Sequence, residues 1–268
     1  MRGEVAAAEQ RLKDVLASHS QLAIAVSGGV DSLTLATVAH RVLSAAPLMV
    51  HAVSPAVPLA ATARVREMSV REGWDLREIN AGEFADPDYR ANPYNRCYFC
   101  KSNLYRSIRA ITQRRIASGA NLDDLSDYRP GLQAASEQDV VHPFVDAGID
   151  KATIRQIARA HELHHYAELP AQPCLASRVE TGLPIRAGDL KFIDELECAL
   201  KRTLGELSTV RVRIRTAGVY VELGTLPDGQ AATLLEQTAR RYCDKAGYKF
   251  IAITAYRQGS AFVSAKTG

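Results

Sequence analysis

Leu22-Ala23-Ile24-Ala25-Val26-Ser27-Gly28-Gly29-Val30-Asp31-Ser32 runs from five apolar residues into two glycines and then a polar pair. An unbroken apolar run of this length reads as a strand buried on both faces, and its end at Ser27-Gly28-Gly29 sets a tight loop at the strand's carboxyl end. Apolar residues then recur at helical spacing from Asp31 to Leu43. Where a strand passes through glycines into a helix, unpaired N–H groups and the positive end of the helix dipole converge, and such a loop suits an anion. Neither GxxxxGK[ST] nor GxGxxG occurs, which removes the usual kinase-type and dinucleotide cradles. A plain tight turn with Asp31 or Ser32 as N-cap is the simpler use of the same residues. The flanking strand and helix favour an anion cradle formed by Ser27, Gly28, Gly29, Val30, Asp31 and Ser32.

Outward from this loop, helical and strand periods alternate. Val5–Leu16 reads as a helix, Leu48–Val53 as a strand, Ala61–Glu72 as a helix and Leu76–Ile79 as a short strand. Residues 80–96 are polar and contain Pro87 and Pro93, so a loop is expected there, followed by a helix at Tyr98–Gln113 and a strand around Ile116. The alternation predicts an α/β fold with a doubly wound parallel sheet. After Asp150 come a helix, Ile154–Leu163, and a proline-containing stretch, Leu169–Pro184, that no period assigns. Helix Asp189–Thr203, strands Val210–Ile214 and Val219–Leu223, helix Gln230–Ala246 and strand Phe250–Thr254 then read as a smaller α+β domain. The expected division is 1–168, a linking and active-site segment 169–184, and 185–268.

With 268 residues and 47% hydrophobic content the chain can bury a substantial core without staples. Lys and Arg number 33 against 30 Asp and Glu, a +3 balance too small to point to nucleic acid. No apolar leader opens the sequence, and no stretch approaches the roughly 18 apolar residues of a membrane span, so a soluble cytoplasmic protein is expected. Five cysteines without an export signal read as thiols or metal ligands rather than staples.

Cys97 and Cys100 stand one helical turn apart in Asn92-Pro93-Tyr94-Asn95-Arg96-Cys97-Tyr98-Phe99-Cys100-Lys101. A lone CxxC serves as a redox pair, half a zinc site or two of three ligands to an iron–sulfur cluster, and the spacing leaves these open. Cys174 lies in a loop-like stretch, Gln172-Pro173-Cys174-Leu175-Ala176-Ser177-Arg178, where Arg178 could favour a thiolate. Cys198 and Cys243 sit within helical periods and read as small core residues. Arg211 and Arg213 alternate with valines, so both guanidiniums share one strand face, either as a phosphate clamp or as a solvated outer surface, and Arg215 continues that face. His161, His164 and His165 complement a helix end more simply than they bind metal. Tyr94, Tyr98 and Phe99 could shield a cluster or pack.

Taken together, SGGVDS (Ser27–Ser32), NPYNRCYFCK (Asn92–Lys101), GANLDDLSDYRPG (Gly119–Gly131), PCLASR (Pro173–Arg178) and VRVR (Val210–Arg213) resemble the LarE-type ATP-dependent sulfur transferases over nearly the whole chain. These are members of the PP-loop ATP pyrophosphatases, with the adenine nucleotide alpha hydrolase-like fold. The resemblance implies that ATP is cut between its α and β phosphates, with Mg²⁺ and the loop amides offsetting charge on the departing pyrophosphate. It further implies a pyridinium-3,5-biscarboxylic acid mononucleotide whose carboxylate is adenylated and then becomes a thiocarboxylate, on the way to a nickel-pincer cofactor. In one branch of the family the thiol matching Cys174 is sacrificed and leaves dehydroalanine. In the other, cysteines matching Cys97, Cys100 and Cys174 hold a [4Fe-4S] cluster whose open iron carries an extra sulfide. All three are present here, which favours the catalytic, cluster-bearing branch.

From the same resemblance, Asp31 and Arg178 join the cysteines in catalysis, and Asn121, Asp124 and Arg129 join the loop around the nucleotide. Ser177, Arg178, Glu197, Arg211 and Arg213 would hold the substrate, although an exposed helical Glu197 is ordinarily surface. The GANLDD stretch departs from the family's GTNADD at Ala120 and Leu122, and its Asn and Asp could instead cap a turn. Sulfide or a cysteine-desulfurase-type source is the expected sulfur partner, with a homo-oligomeric assembly and no nucleic acid or membrane. A PP-loop thiolase acting on tRNA or a nucleobase, an amide-forming relative and a ligand-binding sensor are the competing readings.

Overall fold

A computed structural model describes residues 2–125 and 130–257. In chain order its elements are α1 (Arg2–Ala17), β1 (Leu22–Ala25), α2 (Val30–Val42), β2 (Leu48–Ala52), α3 (Leu59–Glu72), β3 (Asp75–Ile79), α4 (Pro87–Arg90), α5 (Arg96–Ile111), β4 (Arg115–Ser118), α6 (Pro130–Glu137), α7 (Pro143–Asp146), α8 (Lys151–Ala160), α9 (His164–Ala167), α10 (Ala187–Leu204), β5 (Val210–Arg215), β6 (Gly218–Leu223), α11 (Gly229–Ala246) and β7 (Phe250–Ala255). They form two compact units. The first takes the chain up to Glu83 and Asn95–Ala171; the second takes Phe84–Tyr94 and the described residues from Gln172 on.

In the first unit four parallel strands lie in the order β3-β2-β1-β4. Both faces of the central strands are covered, which is why β1 and β2 read as continuous apolar runs. Leu22, Ile24 and Met49 enter one core with Leu12, Leu16, Leu33, Val65 and Ile154. Ala23, Leu48, Val50 and Ile116 enter the other with Tyr105 and Ile108 of α5. β3 is one edge strand, and its exposed Asp75, Arg77 and Glu78 discourage further pairing. The strand order reverses between β1 and β4, and in open parallel sheets the crevice beyond the strand ends at such a reversal receives the ligand.

In the second unit β5 pairs antiparallel with β6, and β6 parallel with β7. Val210, Val212, Val219, Val221 and Leu223 are buried, and α10 packs on β5 while α11 packs on α10 and β7. Residues 80–96, expected as a loop, contain a 3-10 turn at Glu83–Ala85 and helix α4. Asp86 Oδ1 caps α4 by accepting from the Asp88 and Tyr89 amides at 2.9 and 3.4 Å, with Pro87 next in the chain. One helical turn is too short to leave a period. Helix α5 begins at Arg96 rather than Tyr98, which sets Cys97 and Cys100 in its opening turns. No described helix is long and apolar enough to cross a membrane. The whole is an α/β architecture compatible with a Rossmann-like fold, with a second small sheet.

Candidate functional site

Two of the motif loops flank the sheet reversal. After β1, Gly28 adopts φ +79, and a Cβ there would stand 2.5 Å from the Ala61 carbonyl oxygen, so only glycine fits. Arg64 Nε donates to the Gly28 carbonyl at 2.9 Å. Ser32 Oγ accepts from the Ser27 amide at 3.0 Å, donates to the Gly29 carbonyl at 3.1 Å and lies 3.1 Å from Ser27 Oγ. With its carbonyls and hydroxyls thus engaged, the loop leads into the amino end of α2, where the first amides lack helical partners.

His51 backs the loop from β2. Its Nδ1 is 2.8 Å from the Val26 carbonyl and its Nε2 2.9 Å from Thr62 Oγ1, and it is fully buried. Burial lowers its pKa. The neutral imidazole therefore donates from Nδ1 to Val26 and accepts the Thr62 hydroxyl proton at Nε2. After β4, a Cβ on Gly119 would come within 3.0 Å of the Ser32 amide, so this strand end also presses on the loop. Ser118 Oγ meets His142 Nδ1 at 2.8 Å, and burial lowers the His142 pKa.

Asp31 is the loop's charged member. Its Oδ2 pairs with Lys151 Nζ, while its Oδ1 is buried with no partner among the described residues. Burial raises the Asp31 pKa against the pull of Lys151, and the nearby Asp124 charge adds to the rise. An ionised carboxylate with one such oxygen is suited to a cation arriving with an anionic ligand. Asn121 is buried and turns its Oδ1 to the Asp123 amide at 3.0 Å, while Asp124 Oδ2 accepts from the Asn121 amide at 3.1 Å. Asp123 Oδ2 in turn accepts from the Lys151 amide at 3.0 Å. The turn-capping use of these side chains is therefore realised, and it binds the 3-10 turn Leu122–Leu125 to the start of α8. Arg129 lies outside the described residues.

The cysteines divide between the units. Cys97 and Cys100, both half-buried, share the opening turns of α5 in the first unit. Beside them the Tyr98 hydroxyl donates to Glu137 at 2.7 Å, and the Tyr98 and Phe99 rings meet edge-on at 5.4 Å. Cys174, half-buried, caps the 3-10 turn Leu175–Arg178 in the second unit. No disulfide joins any of the five cysteines, and among the described residues no three His, Cys, Asp or Glu side chains are gathered to hold a metal ion. Cys243 is fully buried, its thiol pushed up to about 11, as expected of a core residue. Cys198 is half-buried, and burial raises its pKa with help from Asp194. His161 bridges Glu9 at 3.2 Å and Arg41 at 3.3 Å, tying helices together.

In the second unit, charge is built into the interior. Glu197, expected at the substrate although a helical Glu is ordinarily surface, is 6% exposed. Its carboxylate accepts Arg178 Nε and Nη2 at 2.9 and 3.2 Å and also the Val212 amide at 3.0 Å. Arg178 Nη1 donates to the Pro173 and Cys174 carbonyls and to Ser177 Oγ, so this guanidinium braces the Cys174 turn. Arg211 and Arg213 are 3% and 5% exposed, which overturns the solvated-face alternative. Arg213 binds Glu222 at 3.0 Å and the Ser177 carbonyl at 2.8 Å. Glu222 also takes Arg215 at 2.7 Å. Arg211 is lowered to about 10 by burial and the neighbouring Arg178 charge, yet it remains a cation at neutral pH. Concentrated, desolvated guanidiniums favour an anionic ligand group.

Sequence reasoning missed Arg64, Lys151, His51 and Glu222. Glu222 alone had a signal, since strand alternation and the pairing Arg211↔Glu222 set it on the arginine face. The other three reach the loop from elements whose neighbours only the topology reveals.

No family model matches the chain. It is 36% identical to the uncharacterized protein slr1717 of Synechocystis over 218 residues, 80% of each chain. It is 28% identical to the uncharacterized protein MJ0830 of Methanocaldococcus jannaschii over 208 residues, 76% of this chain and 79% of that one. A more distant likeness, 24% over 250 residues and covering 90% and 87%, is to the pyridinium-3,5-bisthiocarboxylic acid mononucleotide synthase of Lactiplantibacillus plantarum.

Proposed function

The chain belongs to the family of the uncharacterized Synechocystis protein slr1717, and we propose that it acts as an ATP-dependent sulfur transferase of the PP-loop class on a carboxylated pyridinium mononucleotide. One observation carries this reading: the Ser27–Ser32 and Gly119–Asp124 loops flank the sheet reversal, with an Asp31 Oδ1 that has no partner among the described residues at the amino end of α2. The distant likeness to the pyridinium-3,5-bisthiocarboxylic acid mononucleotide synthase supports the substrate class. Residues 1–168 would bind nucleotide, 169–184 would supply Cys174, and 185–268 would hold substrate and build a homo-oligomer.

In this reading the amides of Ser27–Ser32 take the β and γ phosphates of ATP, and Asp31, with the Asp124 charge near it, would hold Mg²⁺ to offset phosphate charge. Lys151 exchanges its bond to Asp31 for phosphate oxygen as charge develops on pyrophosphate. A substrate carboxylate oxygen attacks the α phosphorus, the bond to the β-phosphate oxygen breaks, and an acyl-adenylate results. Arg211 and Arg213 hold the substrate's own phosphate, while Arg178 and Glu197 fix the Cys174 turn. The activated carbonyl is then open to a sulfur nucleophile, with AMP leaving.

Cys97, Cys100 and Cys174 would be the ligands of a [4Fe-4S] cluster. Their chemistry suits it, being three thiols outside any disulfide. When bound, the cluster supplies an open iron for added sulfide, drawn from sulfide itself or a cysteine-desulfurase-type source.

The test is pyrophosphate release from ATP and Mg²⁺ with pyridinium-3,5-biscarboxylic acid mononucleotide, for wild type and Asp31→Asn. Substrate-dependent release lost about a hundredfold or more in the variant is expected, as for removal of a group that stabilises transition-state charge. No release from wild type sinks the adenylation reading. Iron and acid-labile sulfide after anaerobic reconstitution, for wild type and Cys174→Ala, decide the sulfur step. Iron lost in the variant supports the cluster. No iron in wild type leaves a sacrificial Cys174, in which thiolate sulfur bonds to the acyl carbon as AMP leaves, and loss of the Cys174 Cα proton then breaks Cβ–Sγ to give dehydroalanine.

A further inference from the structure

Cys174 lies in a stretch, residues 172–186, whose regular structure is a single 3-10 turn. Such a stretch holds a thiol in place only if its backbone groups are bonded from outside. Upstream this is done by Arg178, which clamps the Pro173 and Cys174 carbonyls and is anchored on Glu197 of α10. Downstream the chain lies beside β5 for two residues, with Val179 bridging Ile214 and the Glu180 amide donating to the Ile214 carbonyl at 2.9 Å, and then leaves the sheet.

What receives it there is Asn92. This side chain is fully buried and its backbone is left-handed, at φ +55. Asn92 Nδ2 donates to the Glu180 and Leu183 carbonyls, both at 2.9 Å. The Asn92 carbonyl accepts from the Gly182 amide at 3.0 Å, and the Arg90 carbonyl accepts from the Ile185 amide at 2.9 Å. Tyr89, buried and edge-on to Phe84 at 5.6 Å, seats the short helix that presents Asn92. A residue other than glycine held in left-handed backbone persists only where its surroundings over-determine it, and asparagine is among the few that tolerate it.

We propose that Asn92 is the positioning residue for Cys174: it clamps the departing half of the Cys174 loop as Arg178 clamps the arriving half, so the sulfur step depends on it while ATP cleavage does not. The proposal rests on the sulfur-transfer reading above for its consequence, and on the hydrogen bonds of one unit for its geometry. Glutamine would reach too far and alanine would oppose the backbone. Glycine keeps the left-handed conformation and the bond from Gly182 but removes the clamp. Aspartate keeps the shape and sets a carboxylate against two carbonyls.

The experiment follows alkylation of Cys174 and Cys243 by iodoacetamide at neutral pH, read by peptide mass spectrometry, in wild type, Asn92→Gly and Asn92→Asp. Cys174 is expected to react about tenfold faster in Asn92→Gly, the factor for losing one or two ordinary hydrogen bonds, and faster still in Asn92→Asp, with Cys243 protected in all three. An unchanged Cys174 rate in both variants overturns the proposal. So does equal acceleration at Cys243, which would make Asn92 a general support of the fold. In the same preparations, pyrophosphate release should stay within about twofold of wild type while thiocarboxylate formed per pyrophosphate falls about tenfold. Loss of both together in Asn92→Gly also overturns it. Wild type that releases no pyrophosphate sinks the adenylation reading instead, and the alkylation pattern still judges the clamp.

Discussion

The two units build their candidate sites from opposite materials. In the first, the loop after β1 is made of backbone: glycine removes the side chain at the closest approach, and the neighbours Arg64, His51 and Ser32 bond its carbonyls, amides and hydroxyls. In the second, Arg178, Arg211 and Arg213 are buried against Glu197 and Glu222, and the site consists of desolvated side-chain charge. A backbone site tolerates loss of a supporting side chain but not an added methyl group. A site of buried charge has the reverse sensitivity, because removing one partner strands the other.

Glu197→Ala is the severest test. It strands the Arg178 guanidinium and removes the acceptor of the Val212 amide, so about 3–5 kcal/mol of the second unit's stability should go. Urea unfolding monitored through the second unit's tyrosines measures it. Glu197→Gln keeps an acceptor for Val212 and should lose less. A loss in Glu197→Ala below about 1 kcal/mol, the range of surface pairs, would erase the contrast between the units.

Two glycines sharpen the other side. Gly28 and Gly82 have nearly the same backbone angle, φ +79 and +78, but a Cβ on Gly28 meets Ala61 at 2.5 Å while one on Gly82 meets nothing within 4 Å. Gly82→Ala should cost only the left-handed penalty of about 1–2 kcal/mol and leave ATP cleavage unchanged. Gly28→Ala carries the same penalty and must also push α3 from the loop, so pyrophosphate release should fall at least about tenfold. Equal activity in the two variants would show that close packing of α3 on the loop is not needed.

How much of each site was legible follows from the same difference. A backbone site leaves its trace in composition, so Leu22–Ser32 announced the strand, loop and helix before any contact was known. The alternation of Arg211 and Arg213 was equally plain, but whether that face met water or protein depended on what covered it. For Glu197 only the resemblance pointed to a site and the helical pattern left a surface position open, because its partner Arg178 is 19 residues away in the chain. Arg64 and Lys151 carried no local signal at all, for their reach to Gly28 and Asp31 spans 36 and 120 residues. Helix α4 and residues 84–94, which join the second unit, escaped because one turn has no period and a capping aspartate before proline reads equally as a loop.

The smallest expected effect concerns what lies behind the first loop. His51 is buried neutral, with its pKa lowered from 6.5 by desolvation, so the unfolded chain takes up its proton more readily than the folded one. Its contribution to stability is therefore complete above about pH 6.5 and is lost as the pH falls through the lowered folded value; His142, shifted the same way, adds to the slope. Wild type should lose stability as the pH falls from about 7 to about 5 from this source, whereas His51→Asn should be less stable at neutral pH and flatter across the interval. Thermal unfolding at the two pH values reads the difference. Because the His51 ring touches the carbonyl of Val26, the residue before Ser27, affinity for ATP should weaken with acid over the same range in wild type and less so in the variant. Parallel slopes in the two proteins would remove the histidine from the loop's support and leave Arg64 and Ser32 to hold it alone.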